Sequence, residues 1–216
     1  AWAQARLPDA VAARPRSAAR PAAGAPAVAL DDEGRLVHPM LAVPPALCLW
    51  RAPTDNDRIG GVAARWAHWG LDRLARRLEA VEHRDGRTVV RSTYTTAAGH
   101  RLAHDMTLVP RADGGLDVVE AVTVPGELAD LARVGTVFEV VAGLEALTWF
   151  GSGPHETYPD RARGGQVGRW RSTVTEQTVP YIRPQENGGH AAVRWLELRD
   201  DDRGHPLVEP DPLVQG

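Results

Sequence analysis

The sequence predicts an all-β protein built from antiparallel strands, a sandwich or a barrel. Three observations predict it. Its apolar runs are short and rich in β-branched residues. Gly, Pro or Asp bounds nearly every run, and adjacent runs are separated by turn-forming residues at hairpin spacing. No alternation of strand and long helix of the kind that builds parallel sheets is present.

Taken in order, residues 1–27 read as a linker and tail, where Ala, Arg and Pro dominate. Pro8, Pro15, Pro21 and Pro26 interrupt any regular element, and Trp2 is the one large side chain. Residues 28–216 read as the folded domain. A first hairpin runs Val28–Leu30, Asp31-Asp32-Glu33-Gly34, Leu36-Val37. A second pairs Leu78–Glu82 with Thr88–Tyr94 across Asp85-Gly86, the dipeptide that favours a two-residue turn. A third pairs Leu102–Val109 with Leu116–Val124 across Asp113-Gly114-Gly115. Further strands are expected at Arg133–Ala142, Ala146–Phe150 and Ala191–Arg199. One short helix is expected near 62–71, where Val62, Trp66 and Trp69 fall at helical spacing. Asp200–Gly216 is rich in Asp, Pro and Gly and holds no closing strand, so the expected sandwich is incomplete at its C-terminal end. A first residue of Ala1 rather than Met adds the expectation of a piece of something longer.

Composition excludes several classes of function. The 216 residues are 43% hydrophobic and 25% charged with a net charge of −3, which suits a packed core and argues against nucleic acid as a partner. The single Cys48 rules out an internal disulfide framework, and no Cys/His spacing suits zinc. All 25 basic residues are Arg, which removes Schiff-base lysine and P-loop lysine chemistry. No apolar run approaches the ~20 residues of a membrane span, and no apolar h-region marks a secretory signal, so no membrane partner and a cytoplasmic location are expected.

Three stretches concentrate candidate chemistry. In Leu49–Asp57, the run Asp55-Asn56-Asp57 resembles the opening of a calcium loop but lacks the downstream Gly and closing Glu. Turn formation or helix capping is the bland alternative. In Trp149–Arg161, Ser152 lacks nucleophile-elbow spacing, while His155, Glu156 and Asp160 are an acid/base set or a packed corner with buried Tyr158 and Arg161. In Pro180–His190, Glu186 is a partner for Glu156 across a cleft, the carboxylate pair of glycoside chemistry, or part of a Pro-bounded strand before a Gly turn. Trp66, Trp69, Trp149, Trp170 and Trp195 are sugar platforms or core.

Together these stretches resemble the C-terminal small-chain domain of glycoside hydrolase family 2 β-galactosidases. Arg51-Ala52-Pro53-Thr54-Asp55-Asn56-Asp57 is similar to its RAPxDND motif. Gly151 through Arg161 is similar to GxGPxExYxDR, and Pro180-Tyr181 with Pro184, Glu186 and Gly188 to PYxxPxExG. Arg133-Val134-Gly135 is similar to the RxG preceding the second motif, and Trp2-Ala3-Gln4 to the end of the preceding immunoglobulin-like domain. The likeness runs from about Val28 to Asp202.

The resemblance implies an antiparallel β-supersandwich of the galactose mutarotase-like type. It implies a parent enzyme that hydrolyses terminal β-D-galactosides with retention, its two catalytic glutamates on a TIM barrel. A barrel of ~250 residues cannot fit here, so no residue of this chain is assigned a catalytic role. His155, Glu156, Arg183 and Glu186 are substrate-binding candidates. Arg51, Asp55, Asn56, Asp57, Tyr158, Asp160, Arg161 and Tyr181 are motif residues with structural roles. The family's sugar-contacting Trp, in a GGDDSW pattern, is absent; Asp200-Asp201-Asp202 is not followed by Trp. Implied partners are the remaining domains or large chain, a galactoside in that context only, and a second copy of the chain. No cofactor or metal is assigned to this chain. Mg²⁺ and Na⁺ are implied for the parent, with a peripheral ion on backbone carbonyls near Ile182-Arg183-Pro184. Two other functions stay open: a mutarotase-type sugar epimerase using Glu186 with His155 or His190, and a carbohydrate-binding module.

Overall fold

The structure, a computed structural model, describes residues 28–158 and 160–200. Expectations for residues 1–27, Pro159 and 201–216 lie outside the described residues. In chain order the elements are β1 (Leu41–Cys48), α1 (Asp55–Ile59), α2 (Val62–Trp69), β2 (Leu74–Arg84), β3 (Arg87–Thr96), β4 (Arg101–Pro110), β5 (Leu116–Thr123), β6 (Gly135–Val140), β7 (Ala146–Gly153), β8 (Gln166–Thr173) and β9 (Trp195–Arg199). The described residues are mostly strand, in antiparallel sheets, with two short helices. They fall into two compact units, described separately.

The first unit holds residues 28–37 and Arg73–Ala129. Its sheet is a four-stranded meander, β2-β3-β4-β5. Asp85 and Gly86 both adopt positive φ, 51° and 71°, and close the β2–β3 hairpin with Arg84 opposite Arg87. That is the backbone a two-residue turn needs to match strand twist. Alternate residues of β3 and β4 face the core, among them Val90, Tyr94, Leu102, Met106 and Leu108. The expected first hairpin forms as a bridge between Leu30 and Leu36, its turn held by Asp31 Oδ1 accepting from the Glu33 and Arg35 amides. Val28, Leu30 and Leu36 then pack on Val90, Met106 and Leu108.

The second unit holds His38–Asp72 and residues 130–200. It contains the two-stranded sheet β1-β6 and the three-stranded sheet β8-β7-β9. The helix expected near 62–71 spans Val62–Trp69 and stops at Gly70, whose φ of 68° is a left-handed cap. Trp66 is its buried residue, and its indole Nε1 donates to the Asp130 carbonyl at 2.7 Å.

Three features depart from the sequence-based expectations. Strand β1 carries Pro44 and Pro45, which read as strand breakers; among the described residues it pairs only with β6, and its register shifts between Val43 and Ala46. Strand β8 was not expected, because its Gly168 and three arginine or tryptophan positions obscure any alternation. The Pro-bounded strand expected in Pro180–His190 is instead irregular. Its backbone bonds to loops and caps rather than to a ladder, with Glu186 N donating to the Ala52 carbonyl at 3.2 Å.

Candidate functional site

Local chemistry builds the first motif. Thr54 caps α1, and Asp57 three residues on completes a capping box. Asp57 Oδ2 accepts from Thr54 N at 2.7 Å and Thr54 Oγ1 at 2.9 Å, while Arg51 reaches both carboxylate oxygens at 2.8 Å. Burial works to raise the Asp57 pKa, but the Thr54 and Arg51 bonds prevail and hold it below the usual range. The Arg51 guanidinium also lies 5.2 Å from the Trp66 ring. Asp55 is exposed and meets Arg58 at 3.1 Å and Arg183 at 3.5 Å; Asn56 is exposed on the same helix.

The second and third motifs meet. Strand β7 ends in a cis Gly153-Pro154 peptide. The chain beyond it lies along residues 188–191: Thr157 N donates to the Gly189 carbonyl at 2.7 Å, Gly189 N to Tyr158 OH at 3.1 Å, and Ala191 N to Thr157 Oγ1 at 2.6 Å. Glu156 is the centre of this junction, its side chain only 5% exposed. Its Oε1 accepts from Arg161 Nη1 at 2.6 Å and from Tyr181 OH, and its Oε2 from Gly188 N at 3.0 Å. Burial pushes its pKa up, yet the bonds from Tyr181, Gly188 and Arg161 outweigh burial and hold it below the usual glutamate range. Reciprocally, bonding to Glu156 pushes the Tyr181 phenol up. Tyr158 is raised by burial first.

Beside Glu156 opens a cleft of about 630 Å³. Pro154, His155, Glu156, Arg161, Tyr181 and Gly188 line it together with Ser172, Glu176, Gln177 and Val179. Ser172, Glu176 and Gln177 carried no motif signal, and Val179 only borders the third motif. Antiparallel pairing of β8 with β7 and the 3-10 turn Thr175–Gln177 bring them in. His190 lies behind, its ring tilted 41° against Trp149 at 4.3 Å, its Nδ1 donating to the Ser152 carbonyl and its Nε2 meeting the amide of Gln177. Burial pushes the His190 pKa down.

The other candidates are placed apart from the cleft lining. Glu186 pairs with Arg133, and Arg183 with Asp55. The expectation that Arg161 is buried at a corner is corrected: its side chain is 55% exposed, because only one guanidinium nitrogen is needed to reach Glu156. Asp160 is exposed, and Tyr158 is half-buried. Among the described residues, no group of His, Cys, Asp and Glu is placed to hold a metal ion, and no helix is long and apolar enough to cross a membrane. Near Ile182-Arg183-Pro184, the Pro184 carbonyl accepts from Arg58 Nη2 at 3.4 Å.

Gly188 is required where it stands. Its φ is 71°, and a Cβ there would lie 2.6 Å from the Gln177 carbonyl oxygen. Gly188→Ala is expected to lower stability by about 2 to 4 kcal/mol, from left-handed strain plus overlap with fixed backbone. Urea unfolding of the variant checks this; a loss under roughly 1 kcal/mol would show that the strap yields freely.

Known proteins resemble this sequence. The family described as Beta galactosidase small chain matches residues 29–211. A β-galactosidase of Arthrobacter sp. (strain B7) is 34% identical, the alignment covering 92% of this chain and 22% of the relative. One from Priestia megaterium is 30% identical over 77% of this chain and 16% of the relative. The β-galactosidase BgaC of Bifidobacterium adolescentis is 34% identical over 74% and 16%. The chain thus spans about a fifth or less of the length of these curated relatives. With the motif residues in order and the match covering most of its length, this chain belongs to the β-galactosidase small chain family.

Proposed function

We propose that this chain is a non-catalytic accessory domain of a β-galactosidase that hydrolyses terminal β-D-galactosides. In this reading its sheets form part of a supersandwich that packs beside the catalytic domain or large chain and supports the pocket wall. The observation that carries it is the state of the two flagged glutamates. A retaining glycosidase needs a free carboxylate nucleophile and an acid of raised pKa roughly 5 to 5.5 Å apart. Glu156 is instead held ionised by Tyr181, Gly188 and Arg161, and Glu186 is taken by Arg133. The same bonding speaks against the mutarotase reading, which needs Glu186 beside His155 or His190. Mg²⁺ and Na⁺ belong, in this reading, to other parts of the enzyme.

The test is an assay of the 216-residue chain on a chromogenic β-galactoside. No turnover above buffer is expected. Turnover that Glu156→Gln or Glu186→Gln abolishes would overturn the proposal.

A further inference from the structure

The sheet β8-β7-β9 has two unlike faces. One carries Trp149, Gly151 and Gly153, all buried, with Leu196 39% exposed at the β9 edge. Alternation turns Phe150, Trp195, Arg169 and Arg171 to the other face. Register places Arg169 and Trp195 on either side of Phe150, and Arg171 beside Thr148 in the next row. The Phe150 and Trp195 rings stack at 6.3 Å with 22° between planes. The Arg169 guanidinium lies 5.6 Å from the Trp195 ring, and that of Arg194 lies 5.4 Å from the Phe150 ring. Val167, two residues before Arg169 and on the same face, is 52% exposed. Arg169, Arg171 and Arg194 are all exposed, and among the described residues no carboxylate pairs with them. The one acid of this face, Glu197, is buried against Arg199 at 2.5 Å.

Stacking on an aromatic ring holds a guanidinium in a fixed plane and leaves its N–H edge outward. A partner carboxylate then meets a donor already oriented, so less side-chain freedom is lost on contact. Three exposed cations with no carboxylate partner among the described residues call for a partner surface of opposite sign. Trp, Phe and Arg set together are also the residues enriched where protein interfaces concentrate their binding energy. The apolar rings and Val167 favour a folded protein surface over a uniformly polar polyanion.

We propose that the outer face of β8-β7-β9 is a docking surface for an acidic, partly apolar patch of the remaining β-galactosidase polypeptide. The proposal rests on the accessory-domain reading and names the surface through which that domain is held. Arg169, Arg171 and Arg194 meet carboxylates there, while Trp195, Phe150 and Val167 lose water.

Footprinting tests it in the complete β-galactosidase that contains this chain. Arginines are labelled with phenylglyoxal and tryptophans with hydroxyl radicals, and labelling is compared with that of the 216-residue chain alone. Labelling of Arg169, Arg171, Arg194 and Trp195 is expected to fall at least tenfold in the complete enzyme, with exposed Arg163 as the control. Arg169→Glu combined with Arg171→Glu should restore labelling of Arg194 and Trp195 in the complete enzyme; near-ultraviolet circular dichroism checks that the variant is folded. Equal labelling in chain and complete enzyme overturns the surface. So does protection that the double variant leaves intact, or protection of the chain by polygalacturonate alone, which assigns the face to an anionic glycan. The accessory reading is judged separately, by the β-galactosidase activity of the complete enzyme and of the chain.

Discussion

Replacing Glu156 by Ala is expected to lower the stability of the chain by about 3 kcal/mol, the upper end for losing hydrogen bonds to a charged group. The side chain is 5% exposed and accepts from Tyr181 OH, Arg161 Nη1 and Gly188 N. Removing it strands those donors and loosens the strap 188–191 from Thr157 and Tyr158. Glu156→Gln should cost less, about 2 kcal/mol, since one amide oxygen still accepts while the amide N–H faces a donor. The pH dependence separates charge from shape. The Glu156 pKa is depressed in the folded chain, so its contribution is fully present above the unfolded value. That contribution fades as pH falls through the folded-state value, where protonation removes an acceptor. Urea unfolding from pH 7 down into the acid range should therefore show the gap between wild type and Glu156→Gln closing. A gap that stays constant, or a Glu156→Ala cost below about 1 kcal/mol, would show that the carboxylate is not the clasp of this junction.

Trp66→Ala is expected to cost about 3 to 5 kcal/mol as well, but by loss of packing. Trp66 is 3% exposed. It meets the edge of Trp50 at 6.3 Å, lies under Arg51, and donates to the Asp130 carbonyl at 2.7 Å. One side chain thus joins α2, the turn before α1 and the segment entering β6. Trp66→Phe retains most of the apolar area and loses the indole donor, so about 1 to 2 kcal/mol is expected. A double-mutant cycle of Trp66→Leu, which removes the aromatic face, with Arg51→Ala should return a coupling of about 0.5 to 1 kcal/mol, because the guanidinium lies over the ring. Denaturant unfolding measures all of these. Additive effects in that cycle would mean that the capping motif and α2 are energetically separate.

Much of the fold was legible because its signals are local. Asp85-Gly86 and Asp113-Gly114-Gly115 sit between alternating runs, and both hairpins form there. Val62–Trp69 is helical, though Gly70 ends it earlier than the apolar spacing suggested. Asp55-Asn56-Asp57 opens a capped helix, the capping alternative read from that run, with Thr54 three residues before Asp57 as the cap. Strand β1 was hidden by Pro44 and Pro45, which a strand tolerates at an edge or where its register shifts, as it does between Val43 and Ala46. Strand β8 was hidden because Arg169, Trp170 and Arg171 are all long, amphipathic side chains that blur inside from outside. In Pro180–His190 the proline pattern resembled a strand, but the segment bonds to Ala52, Thr157 and Glu156 instead of a ladder neighbour.

The candidate site shows the same division. By itself the sequence determined the antiparallel β class, the hairpins, the helix and the family, because turn chemistry, alternation and ordered motifs are read along the chain. It also marked Glu156 and Glu186 as carboxylates set among aromatic and arginine residues. Only the tertiary structure decided which partners they take. Glu156 finds Tyr181 and Gly188 across 25 and 32 residues, and Glu186 finds Arg133 across 53. The physical reason is that a buried carboxylate must be satisfied by whichever donors packing delivers to it. Which donors arrive depends on how β7 and the strap 188–191 are laid together.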